Sequence, residues 1–240
     1  MQLIILTIVF YIIIGAIGMY FGNKKVDAAA AKQRWWKYLT YLLITSVVVL
    51  SIWFQFFFVL AVFIVLIGYY ELAGTMNQRV EPWIALIFYS IIAAGFIVYA
   101  FKIKKQFQFF VYFQILAFDA FSQVTGQLIG KTPIAPKISA AKTREGLLGG
   151  IFFCILSAIL TRGLLNISVL AATGFGLFTS ITGFAGDMLA SFYKRIAGIK
   201  DYSNLLPGQG GFLDRFDSFM MAAFGYSIIY AIATRTSGVL

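Results

Sequence analysis

The most polar part of this sequence lies between Gly186 and Ser218, in a chain that is otherwise strongly apolar. Two carboxylates there, Asp214 and Asp217, are spaced i, i+3, which places them on one face of a helical turn where they can share a divalent cation. Three glycines, whose backbone N–H groups can approach an anion closely, precede this pair: Gly208, Gly210 and Gly211. Four cations that can neutralise phosphate lie in the same segment: Lys194, Arg195, Lys200 and Arg215. The segment therefore contains the parts of a phosphate and metal site.

A second basic segment extends from Lys131 to Gly146. Its cations and hydroxyls are suited to anions: Lys131, Lys137, Lys142, Arg144, Ser139 and Thr143. Together, two cationic segments and an acidic cluster can bind a nucleoside triphosphate with Mg²⁺. The alternative is two ordinary basic loops of the kind found on the cytoplasmic side of membrane proteins. Spacing alone leaves both interpretations open.

Two further carboxylates, Asp119 and Asp187, lie within or at the ends of apolar stretches. An ionisable group inside a membrane costs about 2.5–3.5 kcal/mol on insertion scales, so it usually faces a polar cavity or a partner. For Asp187, which follows Gly186 in the polar segment, we favour a functional role. For Asp119, a functional role and pairing with a nearby lysine such as Lys131 are equally favoured.

The chain contains no histidine and a single cysteine, Cys154, inside an apolar run. A single cysteine cannot form a disulfide within the chain, and a buried thiol is the simplest interpretation. The absence of histidine excludes histidine-based triads, zinc sites built on imidazole and the commonest general acid–base group. Any catalysis must therefore use carboxylates, cations and a bound metal ion.

The composition places these residues in a membrane protein. Hydrophobic residues make up 61% of the 240 residues and charged residues 12%, against roughly 45–50% and about 25% in soluble proteins. These values exclude a soluble enzyme, a nucleic-acid-binding module and a disordered chain, and they predict an all-α, polytopic integral membrane protein. Apolar stretches long enough to cross a bilayer predict eight transmembrane helices: Gln2–Phe21, two within Tyr38–Ala73 divided near Trp53–Gln55, Trp83–Phe101, Phe107–Gln127, Leu147–Leu165, Ile167–Ala190 and Ser218–Thr234.

The basic residues predict the orientation of these spans. The net charge is +10, and lysines and arginines concentrate in cytoplasmic loops. A basic loop after the first span is therefore predicted to be cytoplasmic, with both chain termini outside: Lys24, Lys25, Lys32, Arg34 and Lys37. The cluster Lys102–Lys105 then falls outside, against the rule. We expect a bacterial-type cytoplasmic membrane, since no targeting signal is evident.

The polar segment also follows a specific order of residues. It contains Ser191-x-x-Lys194-Arg195, then Lys200-Asp201, then Leu206-Pro207-Gly208-x-Gly210-Gly211-x-x-Asp214-Arg215-x-Asp217. This order closely resembles the hallmark of phosphatidate cytidylyltransferases, the CDP-diacylglycerol synthases. Other segments resemble the same family: Gly130-Lys131, Pro136-Lys137-x-Ser139-x-x-Lys142-Thr143-x-Glu145-Gly146, Gly149-Gly150 and Tyr70-Glu71-Leu72.

This resemblance implies an enzyme that transfers CMP from CTP to phosphatidic acid, giving CDP-diacylglycerol and pyrophosphate for phospholipid synthesis. It implies a helical membrane fold with a polar cavity that faces the cytosol. Because the resemblance begins near Tyr38, residues 1–37 are expected to be an extra N-terminal helix with its basic loop, and residues 38–240 a cytidylyltransferase-like membrane domain. The implied partners are CTP, a lipid phosphate and membrane lipids, with Mg²⁺ or another divalent cation and without nucleic acid. Whether the chain forms a homodimer stays open.

Residue roles are carried over by position. The resemblance implies three metal ligands, Asp187, Asp214 and Asp217, which act in catalysis with Lys194 and Arg215. It also implies a set of substrate-binding residues: Ser139, Lys142, Thr143, Arg195, Lys200, Asp201, Gly210 and Gly211. In the implied reaction a phosphate oxygen of the lipid attacks the α-phosphorus of CTP in line, and pyrophosphate leaves. The nucleophile is already anionic, so no histidine base is required.

The sequence departs from the family pattern at several positions. Gln209 stands where histidine is usual, and Ala190 where glutamate is expected. Smaller departures are Tyr193, Ala140 and Phe121-Ser122-Gln123. Because the phosphate and metal residues are otherwise present, we favour an active enzyme from a divergent branch. The alternatives are a related CTP-dependent enzyme acting on another lipid phosphate or a polyprenol, and a non-catalytic membrane protein that binds anionic lipid.

Overall fold

A computed structural model describes residues 27–75, 82–206 and 210–236, with positions 7, 9, 13, 15, 16 and 20 before them. Those six positions are helical, and the rest of the expected first span, Gln2–Phe21, lies outside the described residues, as do Lys24, Lys25, Gly208 and Gln209. Seven helices have described bounds: α1 Ala28–Trp53, α2 Phe57–Ala73, α3 Pro82–Lys102, α4 Lys105–Ile129, α5 Arg144–Thr161, α6 Val169–Ile196 and α7 Leu213–Thr236. Strands β1 (Pro133–Ala135) and β2 (Ser139–Thr143) form an antiparallel hairpin between α4 and α5, and a 3-10 turn, Arg162–Leu164, follows α5.

The break between α1 and α2 falls where the sequence predicts it. Gln55 adopts a left-handed conformation with φ of 62°, and the Phe56 N–H donates to the Ser51 carbonyl at 2.9 Å. At its other end, however, α1 begins at Ala28, in a run of alanines with the highest helix propensity. Lys32, Arg34 and Lys37, which were predicted to lie in a loop, are therefore helical, and the expected domain boundary at residue 37 falls inside α1 and stays a prediction.

Five of the described helical segments are long and apolar enough to cross a bilayer: Arg34–Trp53, Trp83–Lys102, Arg144–Leu164, Val169–Ile196 and Leu213–Arg235. The apolar helix α2 is shorter, with 17 residues. The first half of α4 is enclosed by its neighbours, with every residue from Gln108 to Phe118 buried, while Val124, Leu128 and Ile129 near its end are exposed. The prediction of an all-α, polytopic integral membrane protein is confirmed, while the number of eight spans stays a prediction.

Alternating helix directions bring several helix ends together. Phe58 of α2 packs against Phe101 of α3 with ring centroids 5.3 Å apart, and the Tyr69 hydroxyl donates to Ser90 Oγ at 2.7 Å, so α2 and α3 are antiparallel. The same alternation continues to α7. The last turns of α2, α4 and α6 and the first turns of α5 and α7 therefore lie beside the β-hairpin, and we call this the hairpin end of the bundle.

An aromatic cluster fixes α7 against the other helices. The ring of Phe219 lies 5.9 Å from Phe57 of α2, 5.6 Å from Phe96 of α3 and 5.2 Å from Tyr112 of α4, measured between centroids. All four side chains are buried, and such aromatic pairs contribute about 0.5–1.5 kcal/mol each beyond the burial of their area. This packing fixes the position of the polar first turn of α7 along the axis of the bundle.

Two glycine pairs, Gly126 with Gly130 and Gly146 with Gly150, are each spaced i, i+4, which predicts close packing of membrane helices, and α4 and α5 do approach closely. A Cβ on Gly146 would lie 2.8 Å from the Ser122 carbonyl oxygen and 3.2 Å from the Gly126 Cα. Thr143 caps the start of α5, because its Oγ1 accepts a hydrogen bond from the Gly146 N–H at 3.1 Å. The hairpin that carries Lys142 is thereby fixed to the helix that follows it.

Candidate active site

The first ion pair of the hairpin end joins the β-hairpin to α6. Lys142 Nζ lies 2.7 Å from Asp187 Oδ1, and the two side chains are 20% and 33% exposed. Lys142 also donates to Ser191 Oγ at 3.1 Å, one helical turn further along α6. Because this pair is reachable from outside, its ammonium group can take a phosphate oxygen as an additional or alternative partner.

The second ion pair, between Lys194 of α6 and Asp214 of α7, is more deeply buried, with side chains 11% and 4% exposed. Asp214 Oδ2 accepts two further hydrogen bonds, from the Tyr202 N–H at 3.0 Å and the Gly211 N–H at 2.9 Å. Lys194 Nζ also lies 5.3 Å from the centroid of the Tyr202 ring. Burial, and then the nearby carboxylates of Asp217 and Asp214, raise the pKa of the Tyr202 phenol well above its ordinary value, so this ring is neutral. Asp214 thus joins α6, α7 and the connecting segment.

A third carboxylate, Asp217, faces the same region from α7. Its Oδ1 accepts a hydrogen bond from the Ser218 N–H at 2.7 Å, and it interacts electrostatically with Asp187, Lys194 and Lys142. Helices α6 and α7 nearly touch here, because a Cβ on Gly186 would lie 2.6 Å from the Asp217 carbonyl oxygen. The predicted neighbours Asp187 and Asp217 therefore come from two helices that meet at Gly186.

Replacing Gly186 with Ala is expected to lower the unfolding temperature of the protein in detergent. The added Cβ meets backbone rather than a movable side chain, so α6 and α7 must separate, which costs about 1–3 kcal/mol. Gly174→Ala is the matched control on the same helix, because a Cβ there meets nothing within 4 Å and alanine favours the helix. Thermal unfolding of both variants measures the difference, and equal midpoints would contradict the close approach of the two helices.

The glycines before Asp214 have a role that sequence reasoning did not predict. Gly210 has φ of +86°, and a Cβ on Gly211 would lie 2.8 Å from Glu71 Oε1 and 2.9 Å from Asp214 Oδ2. These positions exclude side chains because carboxylates approach the backbone closely. The expectation that these N–H groups are open to an anion is wrong for Gly211, whose N–H already donates to Asp214.

Two residues predicted to bind substrate also have structural contacts. Arg195 donates from Nε to the Ile138 carbonyl at 3.0 Å and from Nη1 to the Ile199 carbonyl at 3.1 Å, which ties the hairpin to the end of α6. Thr143 is the cap of α5. These contacts occupy two guanidinium N–H groups of Arg195 and the hydroxyl of Thr143, and the predicted role of both residues in binding phosphate stays a prediction.

The remaining predicted residues lie around the same end of the bundle. Ser139 is the first residue of β2 and is partly buried. Lys200 and Asp201 are exposed in the segment after α6, and Arg215 is exposed in the first turn of α7. A Cβ on Gly210 would lie 3.0 Å from Asp201 Oδ1, which places this acid beside the glycine segment. The structure therefore brings all the predicted residues to one end of the bundle.

Two acidic residues outside the predicted set belong to this region. Glu71, at the end of α2, is 2% exposed and accepts hydrogen bonds from the segment before α7. Asp119 of α4 interacts electrostatically with Asp187, Asp217 and Arg215. The cost of an ionisable group in an apolar stretch had already singled out Asp119, and Glu71 lies in the Tyr70-Glu71-Leu72 segment that resembles the family, but neither residue was assigned to the site.

The carboxylates of this region are candidate ligands for a metal ion. In the described ranges, no three His, Cys, Asp or Glu residues come together closely enough to hold a metal ion by themselves. Mg²⁺ is commonly bound by one or two carboxylates together with waters and substrate phosphates, and Asp187 and Asp217 fit that pattern. Asp214 already accepts hydrogen bonds at both oxygens, so its predicted role as a metal ligand stays a prediction.

Comparison with known proteins identifies a family and several relatives that are similar to this chain. The sequence profile of the cytidylyltransferase family matches residues 1–233. The phosphatidate cytidylyltransferase of Aquifex aeolicus strain VF5 is 43% identical over 143 residues, which cover 58% of this chain and 52% of that protein. The phosphatidate cytidylyltransferase of Staphylococcus aureus strain COL is 33% identical over 182 residues, 60% of this chain and 70% of that protein.

A third relative has a name that assigns no activity. The uncharacterized protein YnbB of Escherichia coli strain K12 is 40% identical over 115 residues, 47% of this chain and 39% of that protein. The chain thus spans about half the length of the Aquifex relative and less of YnbB.

Proposed function

We propose that this chain, which belongs to the cytidylyltransferase family, transfers CMP from CTP to phosphatidic acid and produces CDP-diacylglycerol and pyrophosphate. The relatives named phosphatidate cytidylyltransferase support this choice of lipid acceptor. The observation that carries the proposal is the meeting of two lysine–aspartate pairs, Lys142–Asp187 and Lys194–Asp214, at one end of a membrane bundle. Such a site offers both cations and carboxylates to a triphosphate.

The proposed reaction needs no general base. A phosphate oxygen of phosphatidic acid forms a bond to the α-phosphorus of CTP, and the bond from that phosphorus to the oxygen bridging to the β-phosphorus breaks. Both electrons of the broken bond leave with pyrophosphate, so no proton moves in the step. Catalysis then consists of positioning two anions and neutralising their charge. Neither task requires histidine, which this chain lacks.

Each charged residue has a proposed task. Lys142, which is partly exposed, binds a phosphate oxygen of the nucleotide, and Arg215 at the start of α7 binds the lipid phosphate. Lys194 keeps Asp214 and the connecting segment in place. Asp187 and Asp217 hold Mg²⁺, which when bound neutralises the charge of the triphosphate and the leaving pyrophosphate.

The proposed site faces the cytoplasm of a bacterial-type membrane. The hairpin end is rich in basic residues, as expected for the cytoplasmic side: Lys131, Lys137, Lys142, Arg144, Lys194, Arg195 and Lys200. CTP reaches this end from the cytoplasm, and the two-chain lipid enters sideways from the leaflet. Every residue proposed for the site comes from one chain.

The acceptor is tested with purified protein in detergent, Mg²⁺ and α-labelled CTP, across phosphatidic acid, an ether-lipid phosphate and a polyprenol. Phosphatidic acid is expected to yield the labelled CDP-lipid at the highest rate. A preference for another acceptor would contradict the assigned substrate. Binding of phosphatidic acid without any CTP dependence would instead identify a non-catalytic lipid-binding protein.

A further inference from the structure

Glu71 joins the end of α2 to the start of α7. Its carboxylate is 2% exposed and accepts three hydrogen bonds from residues more than 130 positions away. Ser203 donates from its hydroxyl to Oε1. The Phe212 N–H donates to Oε1 and the Leu213 N–H to Oε2, both at 2.7 Å.

These contacts make Glu71 a cap for α7 supplied by another helix. Leu213 is the first residue of α7, so the N–H groups of Phe212 and Leu213 have no partner within the helix. The positive end of the helix dipole favours a carboxylate at this place. A buried carboxylate is tolerated when its oxygens are hydrogen-bonded, and these donors meet that condition. Glu71 therefore determines where α7 begins.

Glu71 and Asp214 also hold the glycine segment, which we define as Gly210 and Gly211. Asp214 accepts a hydrogen bond from the Gly211 N–H. Glu71 accepts hydrogen bonds from the next two N–H groups, those of Phe212 and Leu213. The hypothetical Cβ of Gly211 lies within 2.9 Å of both carboxylates. Two acids from two helices thus enclose Gly211, and the Gly210 carbonyl accepts a hydrogen bond from the Leu206 N–H at 3.0 Å.

We propose that Glu71 is a positioning residue for the nucleotide, which acts by holding the glycine segment and the first turn of α7 in place. It does not touch the substrate itself. This inference rests on the proposed function, because the first turn of α7 carries Asp214, Arg215 and Asp217. Its effect is on the arrangement of those side chains before CTP binds.

Glu71→Gln tests the proposal, since the amide keeps the size of the side chain but offers one acceptor oxygen in place of two. The variant is expected to raise the KM for CTP about tenfold, the effect of leaving one buried N–H without its acceptor, with kcat changed less. Without nucleotide, hydrogen exchange of the amides of residues 212 and 213 is expected to become faster, while exchange in α4 stays as in the wild type. Gly211→Ala, which presses a methyl group between the same two carboxylates, is expected to give the same two changes.

Thr75→Val is the matched control. It removes a buried hydroxyl at the same end of α2 that hydrogen-bonds Tyr193 at 2.6 Å but does not contact the glycine segment. It is expected to lower thermal stability and leave the KM for CTP unchanged. An unchanged KM with normal exchange in Glu71→Gln and Gly211→Ala would overturn the proposal, as would a KM rise in Thr75→Val of equal size. If the wild type lacks CTP turnover, the proposed function fails, and the exchange data alone decide whether Glu71 holds this segment.

Discussion

Asp187→Asn is expected to lower CMP transfer by about 10²–10³-fold, the loss typical when one electrostatic contributor to a transition state is removed. Asp187 is one third exposed, so the change leaves no buried charge without a partner, and the protein should stay folded. The remaining activity is expected to need a higher Mg²⁺ concentration, because one of the two proposed carboxylate ligands has been replaced by a neutral amide. Steady-state transfer of label from CTP to phosphatidic acid, at several Mg²⁺ concentrations, measures both effects.

Asp27→Asn is the control for this experiment, since Asp27 is an exposed acid at the start of α1. It makes the same chemical change and is expected to keep normal transfer. Near-normal turnover in Asp187→Asn, or equal losses in the two variants, would contradict the role assigned to Asp187.

Asp214→Asn is expected to impair both stability and activity. The change leaves the Lys194 ammonium group without its carboxylate at a site where both side chains are nearly buried. Breaking a buried pair from one side costs about 3–5 kcal/mol. The unfolding temperature in detergent is therefore expected to fall. Transfer should fall as well, because the carboxylate that accepts hydrogen bonds from the Tyr202 and Gly211 N–H groups has been replaced by an amide.

The double variant Asp214→Asn/Lys194→Met separates the two effects. Removing the second charge eliminates the buried unpaired ammonium, so thermal stability is expected to recover towards the wild type. Activity should stay low, because the Tyr202 and Gly211 N–H groups still lack the Asp214 carboxylate that accepts their hydrogen bonds. Recovery of full transfer in the double variant would show that this pair has no part in the reaction.

The helices of this protein follow from local properties of the sequence. Apolar runs, the polar break near Gln55 and the glycine pairs of α4 and α5 each determine structure within a few residues. The bounds predicted for the later spans agree with α3 to α7 within six positions, and the largest differences are at the end of α6 and the start of α7. The N-terminal extension of α1 was missed because its lysines and arginine suggested a loop, whereas the alanine run favours a helix.

The partners of the polar residues could not be predicted in the same way. Lys142 and Asp187 are 45 positions apart, and Glu71 lies more than 130 positions from the N–H groups that donate hydrogen bonds to it. Which lysine pairs with which aspartate depends on how the hairpin and four helix ends pack, and no local spacing contains that information. The glycine segment is an example: its composition suggests open N–H groups, and only the fold brings Glu71 and Asp214 against it.

The fate of two labels in CTP distinguishes the transfer of CMP to a lipid phosphate from other reactions of CTP. With phosphatidic acid, Mg²⁺ and purified protein, we expect an α-phosphorus label to enter the lipid fraction. A γ-phosphorus label should leave as pyrophosphate in equal amount, and both transfers should fall together in Asp187→Asn. A γ-label in the lipid fraction, which would indicate phosphate transfer with release of CDP, or no CTP-dependent labelling at all, would contradict the proposed transfer of CMP.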